Sequence, residues 1–330
     1  MKHLLLEIVE ATEIASIAAS KYIGSGDKLK IDEVATNAMR DRLNLIDFVA
    51  EIAIGEGIKD ESLGLYKGER VGLRSNGRYF SGTISDKEFE SLCQNTNDPR
   101  WKLHDHQYDI AVDPVDGTTQ TAKGGYEAMS VIAVGGKNCL LATPAYYMNK
   151  IAVGKQINDE IKINIKMPIE DIVKSVRQVL NKNQITVCIL DRPRHNQIVS
   201  KFRACGCLIK FIQDCDVSGA IAAALPESGI DIFAGIGGAP EGVITAAAIK
   251  CLGGYFEGQI VDNTTYQPVE DHTYDMEMLA KGDVMFCATG ILNGSLLKGI
   301  RHEGKGIITH SVVMESSTKS FKRIESYYEQ

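Results

Sequence analysis

Apolar residues recur at helical spacing near the N-terminus. Leu4, Ile8, Ala11, Ala15, Ala18 and Tyr22 fall on one face and predict a helix over 3–22. Gly24-Ser25-Gly26-Asp27 ends it. A second helix is expected over roughly 32–45, with Ala35, Met39, Arg42 and Leu43 near one face and Asp32 at the N-cap position. The pattern then shortens. Val49 to Ile54 reads as a strand broken by Glu51, running into Gly55-Glu56-Gly57, and Tyr66 to Gly72 is a further strand candidate. Ile110 to Val112 reads as a buried strand that stops at Asp113-Pro114, because proline lacks an N–H donor and fixes φ. Strands are expected over 128–134, 139–142 and 150–153, and Ile161 to Ile165 alternates like a half-exposed strand.

From about residue 168, helices and strands take turns: helices over 169–181, 194–204, 216–225 and 240–252, strands over 185–190, 207–212 and 230–234. Such alternation implies βαβ units and a layered α/β arrangement. Residues 254–283 read as polar and irregular, and strands over 284–288, 307–314 and 319–326 close the chain. Residues 73–107 stand apart: rich in Gly, Ser, Asn, Asp and charge, they hold the only tryptophan, Trp101, and one short helix is expected around Ser85 to Cys93. A long irregular segment of this kind reads as an insertion or lid. The composition shift near residue 160 divides the chain into an N-terminal α+β part, 1–160, and a C-terminal α/β part, 161–330.

Composition narrows the function classes. Of 330 residues, 44% are hydrophobic and 24% charged, the range of a globular protein. The net charge of −7 argues against a broad nucleic-acid surface. No apolar stretch reaches membrane-spanning length, and Glu7 and Glu10 among the N-terminal leucines are unlike a signal peptide. Eight cysteines without a CxxC pair fit a reducing, cytoplasmic setting without structural disulfides, with Cys205-Gly206-Cys207 read as packing.

The candidate chemistry centres on Asp113-Pro114-Val115-Asp116-Gly117-Thr118-Thr119. Two carboxylates for a hard cation stand beside a glycine and hydroxyls, a combination suited to metal-assisted phosphate chemistry. The same run is also good turn chemistry by itself. Asp32, Glu56 and Glu241 lie at element ends or glycine-rich turns as well. Pro240 places Glu241 in the first turn of a helix, so capping could explain Glu241 as it could Asp32. Glu56, flanked by glycines, has no such structural explanation. Arg192-Pro193-Arg194-His195 follows a buried strand and reads as an anion site or a solvated helix start, with His195 a phosphate donor or cap rather than a base. Asp214-Cys215-Asp216 also follows a strand, where carboxylates could hold sugar hydroxyls or Asp216 could cap the next helix.

Taken together, Asp27-Lys28 with Asp32 and Asn37-Ala38-Met39-Arg40, Gly55-Glu56-Gly57, D-P-V-D-G-T-T at 113–119, Y-Y-M-N-K at 146–150, R-P-R-H at 192–195, D-C-D-V at 214–217 and G-I-G-G-A-P-E-G-V at 235–243 resemble class II fructose-1,6-bisphosphatase. That family belongs to the lithium-sensitive sugar and inositol phosphatases. The resemblance covers nearly the whole chain. It implies an α/β, layered αβαβα sandwich of the sugar phosphatase type with mixed sheets, in a cytoplasmic homotetramer or dimer. It implies hydrolysis of the 1-phosphate of fructose 1,6-bisphosphate with Mn²⁺ or Mg²⁺, two or more ions per site. Carried over by position, Asp32 and Glu56 would bind one ion, and Asp113, Asp116 and Glu241 another. Thr118, Asp116 and Glu56 would carry the catalysis, and Asp116, Gly117, Thr118, Tyr147, Arg192, Pro193, Arg194, Asp214, Cys215, Asp216 and Gly238 the sugar bisphosphate.

Departures from bacterial members are Asp116 where Glu is frequent, Arg192 where Lys is usual, a longer 73–107 and a shorter 254–283. Three alternatives remain at this point: a dual fructose-1,6-/sedoheptulose-1,7-bisphosphatase, an inositol-monophosphatase-like enzyme, and a catalytically silent sugar-phosphate sensor, which would be expected to lack metal ligands.

Overall fold

The computed structural model describes residues 2–55, 64–72 and 107–329. Glu56 and the expected helix around Ser85 to Cys93 lie outside the described residues. The chain opens with a 3₁₀ turn (Lys2–Leu4), then helix α1 (Leu5–Ser20) and helix α2 (Lys28–Leu43). A first sheet gathers β1 (Val49–Ile54), β2 (Arg70–Val71), β3 (Gln107–Asp116) and β4 (Ala128–Gly136) with β11 (Val284–Leu292), β12 (Arg301–Glu303), β13 (Gly306–Glu315) and β14 (Ser320–Glu329). Its order is β12-β13-β11-β4-β3-β1-β2, with β14 also on β13. Only β1 and β3 run parallel there. A second sheet, β10-β9-β5-β8-β6-β7, comprises β5 (Tyr147–Val153), β6 (Thr186–Leu190), β7 (Leu208–Ile212), β8 (Ile232–Gly238), β9 (Tyr255–Val261) and β10 (Tyr274–Asp275). β6, β7 and β8 are parallel, whereas β5 and β9 are antiparallel to their neighbours. The remaining helices are α3 (Thr118–Lys123), α4 (Lys155–Glu160), α5 (Ile169–Leu180), α6 (Asn196–Ala204), α7 (Asp216–Ala224), α8 (Ala239–Leu252) and α9 (Met276–Leu279).

The two-residue strand period sorts the core into layers. Ile110, Val112, Ile132, Val134, Met285 and Cys287 pack with Ile8, Ala15, Ile31 and Met39 under α1 and α2. Their sequence neighbours Ala111, Val131, Ala133, Phe286 and Ala288 face the other way, onto Ala220, Ile221, Val243 and Ala247 of α7 and α8. The second sheet repeats the arrangement. Met148, Cys188 and Phe233 share that central layer, whereas Ile151, Val187, Ile189 and Ile232 turn to Ile172, Val176 and Phe202 of α5 and α6. Burial on both faces explains why these strands read as continuous apolar runs. The result is the expected αβαβα layering with mixed sheets.

Several local expectations change. Asp27, not Asp32, caps α2, accepting from Lys30 N at 3.0 Å. β3 does not stop at Pro114. It continues to Asp116 through a register shift between Asp113 and Asp116, beyond its last pairing with β1. A bulge tolerates proline because that residue has no ladder bond to donate. The expected strand at 139–142 amounts to one bridge, Leu140 to Ala280, and 161–165 is not a strand but follows the short α4. Within 66–72 only Arg70 and Val71 pair. Conversely, 254–283 contains β9, which pairs with β5 along its whole length, together with β10 and α9. Gly258 and polar Gln259 and Glu257 broke its apolar signature, although Glu257 and Gln259 are buried.

The first sheet also carries a buried polar seam against α1. Glu13, 3% exposed, accepts from Thr309 Oγ1 at 2.7 Å, Ser311 Oγ at 3.1 Å and Tyr328 OH at 2.6 Å. One carboxylate thus ties the first helix to β13 and the terminal strand β14. Removing it leaves Thr309 and Tyr328 short of this acceptor, while Ser311 keeps Thr289 Oγ1 at 2.7 Å. Glu13→Ala is expected to lower unfolding free energy by about 3 kcal/mol, measured by urea denaturation. A loss under about 0.5 kcal/mol would show that water replaces the carboxylate.

Candidate active site

The acidic turn sits where the two sheets approach each other. At its centre, Gly117 adopts φ +103°, and an added Cβ there would lie 2.9 Å from Cys215 Sγ and 3.0 Å from Glu127 O. Only glycine fits this left-handed, tightly covered position. The Cys215 thiol lies beneath, donating to Asp116 O at 2.9 Å and Glu127 O at 3.2 Å. Its residue is 1% exposed, and burial, reinforced by the Asp116 charge, pushes the thiol pKa well up. Cys215 therefore holds the backbone of the turn with its side chain; it is a packed donor, not an exposed nucleophile. Glu127 anchors the same region, accepting from Ser218 Oγ at 2.7 Å and Ser295 Oγ at 2.6 Å.

Around the turn opens a cleft of about 700 Å³. Asp32, Asp113, Asp116, Gly117, Thr118, Asp214 and Glu241 line it, as do Lys28, Tyr66 and Lys67. Residues from α2, β3, the β7–α7 connection and the first turn of α8 thus share one space. Since Asp27 caps α2, capping does not explain Asp32. The Asp32 Oδ1 instead accepts from Thr118 Oγ1 at 2.8 Å, and that hydroxyl also reaches Val115 O at 3.1 Å. Asp113 Oδ1 accepts from Val115 N at 3.0 Å, closing the bulge. Glu241 packs against Gly238, where a Cβ would sit 1.6 Å from Glu241 Oε2.

The electrostatics are crowded. Burial pushes the Asp116 carboxyl pKa well above its ordinary value, and Asp216, Asp214 and Glu241 push it further. Its Oδ2 is buried and accepts no hydrogen bond from the described residues. A carboxylate in that position needs a cation or a proton. An all-oxygen carboxylate set beside an open cleft fits a hard divalent ion. Among the described residues no three such side chains are already closed into a cage.

Beside the cleft, at the same end of the second sheet, lies the basic group. Arg194 stacks on the rings of Tyr147 at 5.3 Å and Tyr266 at 5.5 Å. Its Nε and Nη2 donate to Ile236 O at 3.1 and 2.8 Å. Arg192 donates to Asp191 O at 3.0 Å and Gln213 O at 2.7 Å. Pro193 opens a 3₁₀ turn between them. Tyr147 pairs with Gly238, which abuts Glu241, so the two groups are continuous. Tyr147, Arg192, Pro193, Arg194 and Gly238 are therefore neighbours of the cleft, not part of its lining.

His195 plays a different part from either expectation. It is 2% exposed, with Nδ1 2.7 Å from Leu190 O and Nε2 accepting from Ile236 N at 2.7 Å. It cross-links β6 to β8 as a neutral imidazole, with both ring nitrogens taken by backbone groups. Asp216 does not cap α7 either. Cys215 is the N-cap residue at φ +57°, and Asp216 instead pairs with Lys150.

A family model described as "Bacterial fructose-1,6-bisphosphatase, glpX-encoded" matches residues 2–93 and 97–328. The chain belongs to this family. A Synechococcus protein (strain JA-2-3B'a(2-13)) named D-fructose 1,6-bisphosphatase class 2/sedoheptulose 1,7-bisphosphatase is 36% identical over 347 residues, covering 98% of this chain and 94% of the relative. A Trichodesmium erythraeum protein of the same name is 35% identical over 351 residues, covering 98% and 95%. Family membership and the cleft's composition agree on metal-dependent phosphate chemistry.

Sequence reasoning missed Tyr266 and Glu127, which carry no local signal beyond a positive φ that only the fold reveals, +56° and +68°. Lys67 and Tyr66 were hidden in a supposed strand. Burial holds the His195 pKa below its ordinary 6.5. The unfolded chain thus binds a proton in a range where the folded chain does not. The stability contributed by neutral His195 is complete above about pH 6.5 and declines as pH falls. The gap in urea unfolding free energy between wild type and His195→Gln should be widest above about pH 6.5 and shrink toward about pH 5. A gap independent of pH would show that His195 is not held neutral by the fold.

Proposed function

We propose that this protein hydrolyses the 1-phosphate of fructose 1,6-bisphosphate in the cleft around Asp113 and Asp116. The observation that carries this reading is the convergence of Asp32, Asp113, Asp116 and Glu241, distant in sequence, on one space with the Thr118 hydroxyl bonded to Asp32. These four carboxylates, with Glu56, would hold Mg²⁺ or Mn²⁺. Such ions, when bound, neutralise phosphate charge and make a water a better nucleophile.

The chain's own groups do the rest. Thr118 Oγ1 points its proton at Asp32, which leaves its lone pairs to accept a proton from an in-line water. As that water attacks phosphorus, its proton passes to Thr118 Oγ1 and the threonine proton to Asp32. The bond to the sugar oxygen breaks, its electron pair stays on that oxygen, and a water in the open cleft supplies the proton that completes the sugar hydroxyl. A threonine alone is too weak a base, and the 2.8 Å bond to Asp32 supplies the acceptor it lacks. Arg194, held flat by two tyrosine rings, and Arg192 take the distal phosphate and orient the reacting end. On this reading Asp214, which lines the cleft, and Asp216, just beneath it, hold the sugar hydroxyls between the two phosphates.

The names of the relatives favour sedoheptulose 1,7-bisphosphate as a second substrate. It presents the same two phosphates at the ends of a sugar one carbon longer. An inositol monophosphate would leave the Arg192–Arg194 group without a partner. A homotetramer or dimer and a cytoplasmic setting complete the reading, the latter supported by the free cysteines 139, 188, 205, 207, 215, 251 and 287. The described residues include no helix long and apolar enough to cross a membrane.

Phosphate release from both sugar bisphosphates, with Mg²⁺ and with Mn²⁺, tests the assignment. Thr118→Ala is expected to lower kcat by about 100-fold or more with little change in KM. Full turnover in that variant would refute the threonine relay. Arg194→Ala is expected to raise KM for the bisphosphates by about 10- to 100-fold while kcat changes less. An unchanged KM would place the distal phosphate elsewhere.

A further inference from the structure

Lys150 has no part in the chemistry described so far, yet it is 1% exposed and bonded at 2.7 Å to Asp216 Oδ2, itself 6% exposed. An ammonium is rarely placed so deep without a specific partner. Its direction follows from the strand. Met148 and Ala152 of β5 face the central layer, and Lys150, two residues from each, does the same. Tyr147, an odd number of positions away, faces the opposite side, toward Arg194.

The surrounding backbone has been cleared for this pair. A Cβ on Gly237 would lie 1.7 Å from Asp216 Oδ2 and 3.2 Å from Lys150 Nζ. A Cβ on Gly242 would lie 3.5 Å from Lys150 Cε. Gly237 and Gly242 flank Glu241 in sequence, so the segment that presents Glu241 to the cleft rests directly on the ion pair.

We propose that Lys150 is a positioning residue of the reaction: its buried ammonium fixes the carboxylate of Asp216, the residue proposed to meet the sugar, against the Gly237 backbone. The inference rests on the cleft being the active site. Without Lys150, Asp216 would retain a charge with no partner and turn from its place, so the sugar would be held less well.

Steady-state kinetics on fructose 1,6-bisphosphate at saturating Mn²⁺ test it, with folding followed by circular dichroism and thermal unfolding. Lys150→Met should raise KM about 10-fold or more with a smaller change in kcat. In an Asp216→Asn background the same change should move KM less than about 2-fold, because the residue acts through Asp216. A folded Lys150→Met protein with KM within about 2-fold of wild type, or an equal effect in both backgrounds, overturns the proposal. Should Lys150→Met fail to fold, Lys150→Ala, which likewise removes the donor to Asp216, is judged by the same criterion. Asp113→Asn separates the two levels of the argument. Loss of turnover in Asp113→Asn with unchanged Lys150 variants sinks this proposal alone, and full turnover in Asp113→Asn sinks the cleft assignment itself.

Discussion

Like charge held at close quarters is the constraint on which this structure turns. Asp116 is buried and feels Asp216, Asp214 and Glu241 at once, which raises its proton affinity well above that of a free carboxylate. Water cannot relieve a group at that depth. The fold holds the cluster with covalent geometry and packing: a bulge in β3, a left-handed glycine, and a thiol bonded to the carbonyl of Asp116 itself. Each of these elements fixes backbone, so the carboxylates cannot relax away from one another into solvent.

The glycines near the cleft are best understood as space for charged side chains. Gly238 leaves room for Glu241, and Gly237 for Asp216. The run Gly235-Ile236-Gly237-Gly238 therefore lacks side chains at Gly237 and Gly238 so that Asp216, Lys150 and Glu241, from other elements, can press against it. That is a different reason from turn formation. It accounts for a glycine-rich segment that nevertheless pairs regularly with β5 up to Gly238.

The two ends of the site are supported differently. The acidic end is buried and rigid, whereas the basic end is assembled on aromatic faces. Arg194 has its position set by two ring stacks and by Ile236 O, and the same residue donates its N–H to His195. His195 thus sets the height of the β8 edge on which Arg194 leans. Under the proposed function a bisphosphate spans from one end to the other, with Asp214 between them.

Periodicity and local chemistry in the sequence determined the layers, the alternation of elements after residue 168, the placement of Glu241 in a helical first turn and the identity of the acidic turn. Those features depend on neighbours a few residues apart, which is what a sequence records. The tertiary structure alone decided the rest. β11 to β14 return to the first sheet beside β4, and a polar strand at 255–261 is buried because β5 lies against it. Asp32 is released from capping because Asp27 takes that role, and it then meets Thr118, 86 residues away. Lys150 and Asp216 find each other across 66 residues, and His195 turns out to be a strap between strands. Long-range charge pairing and cross-strand contacts have no local period, so no pattern along the chain could announce them.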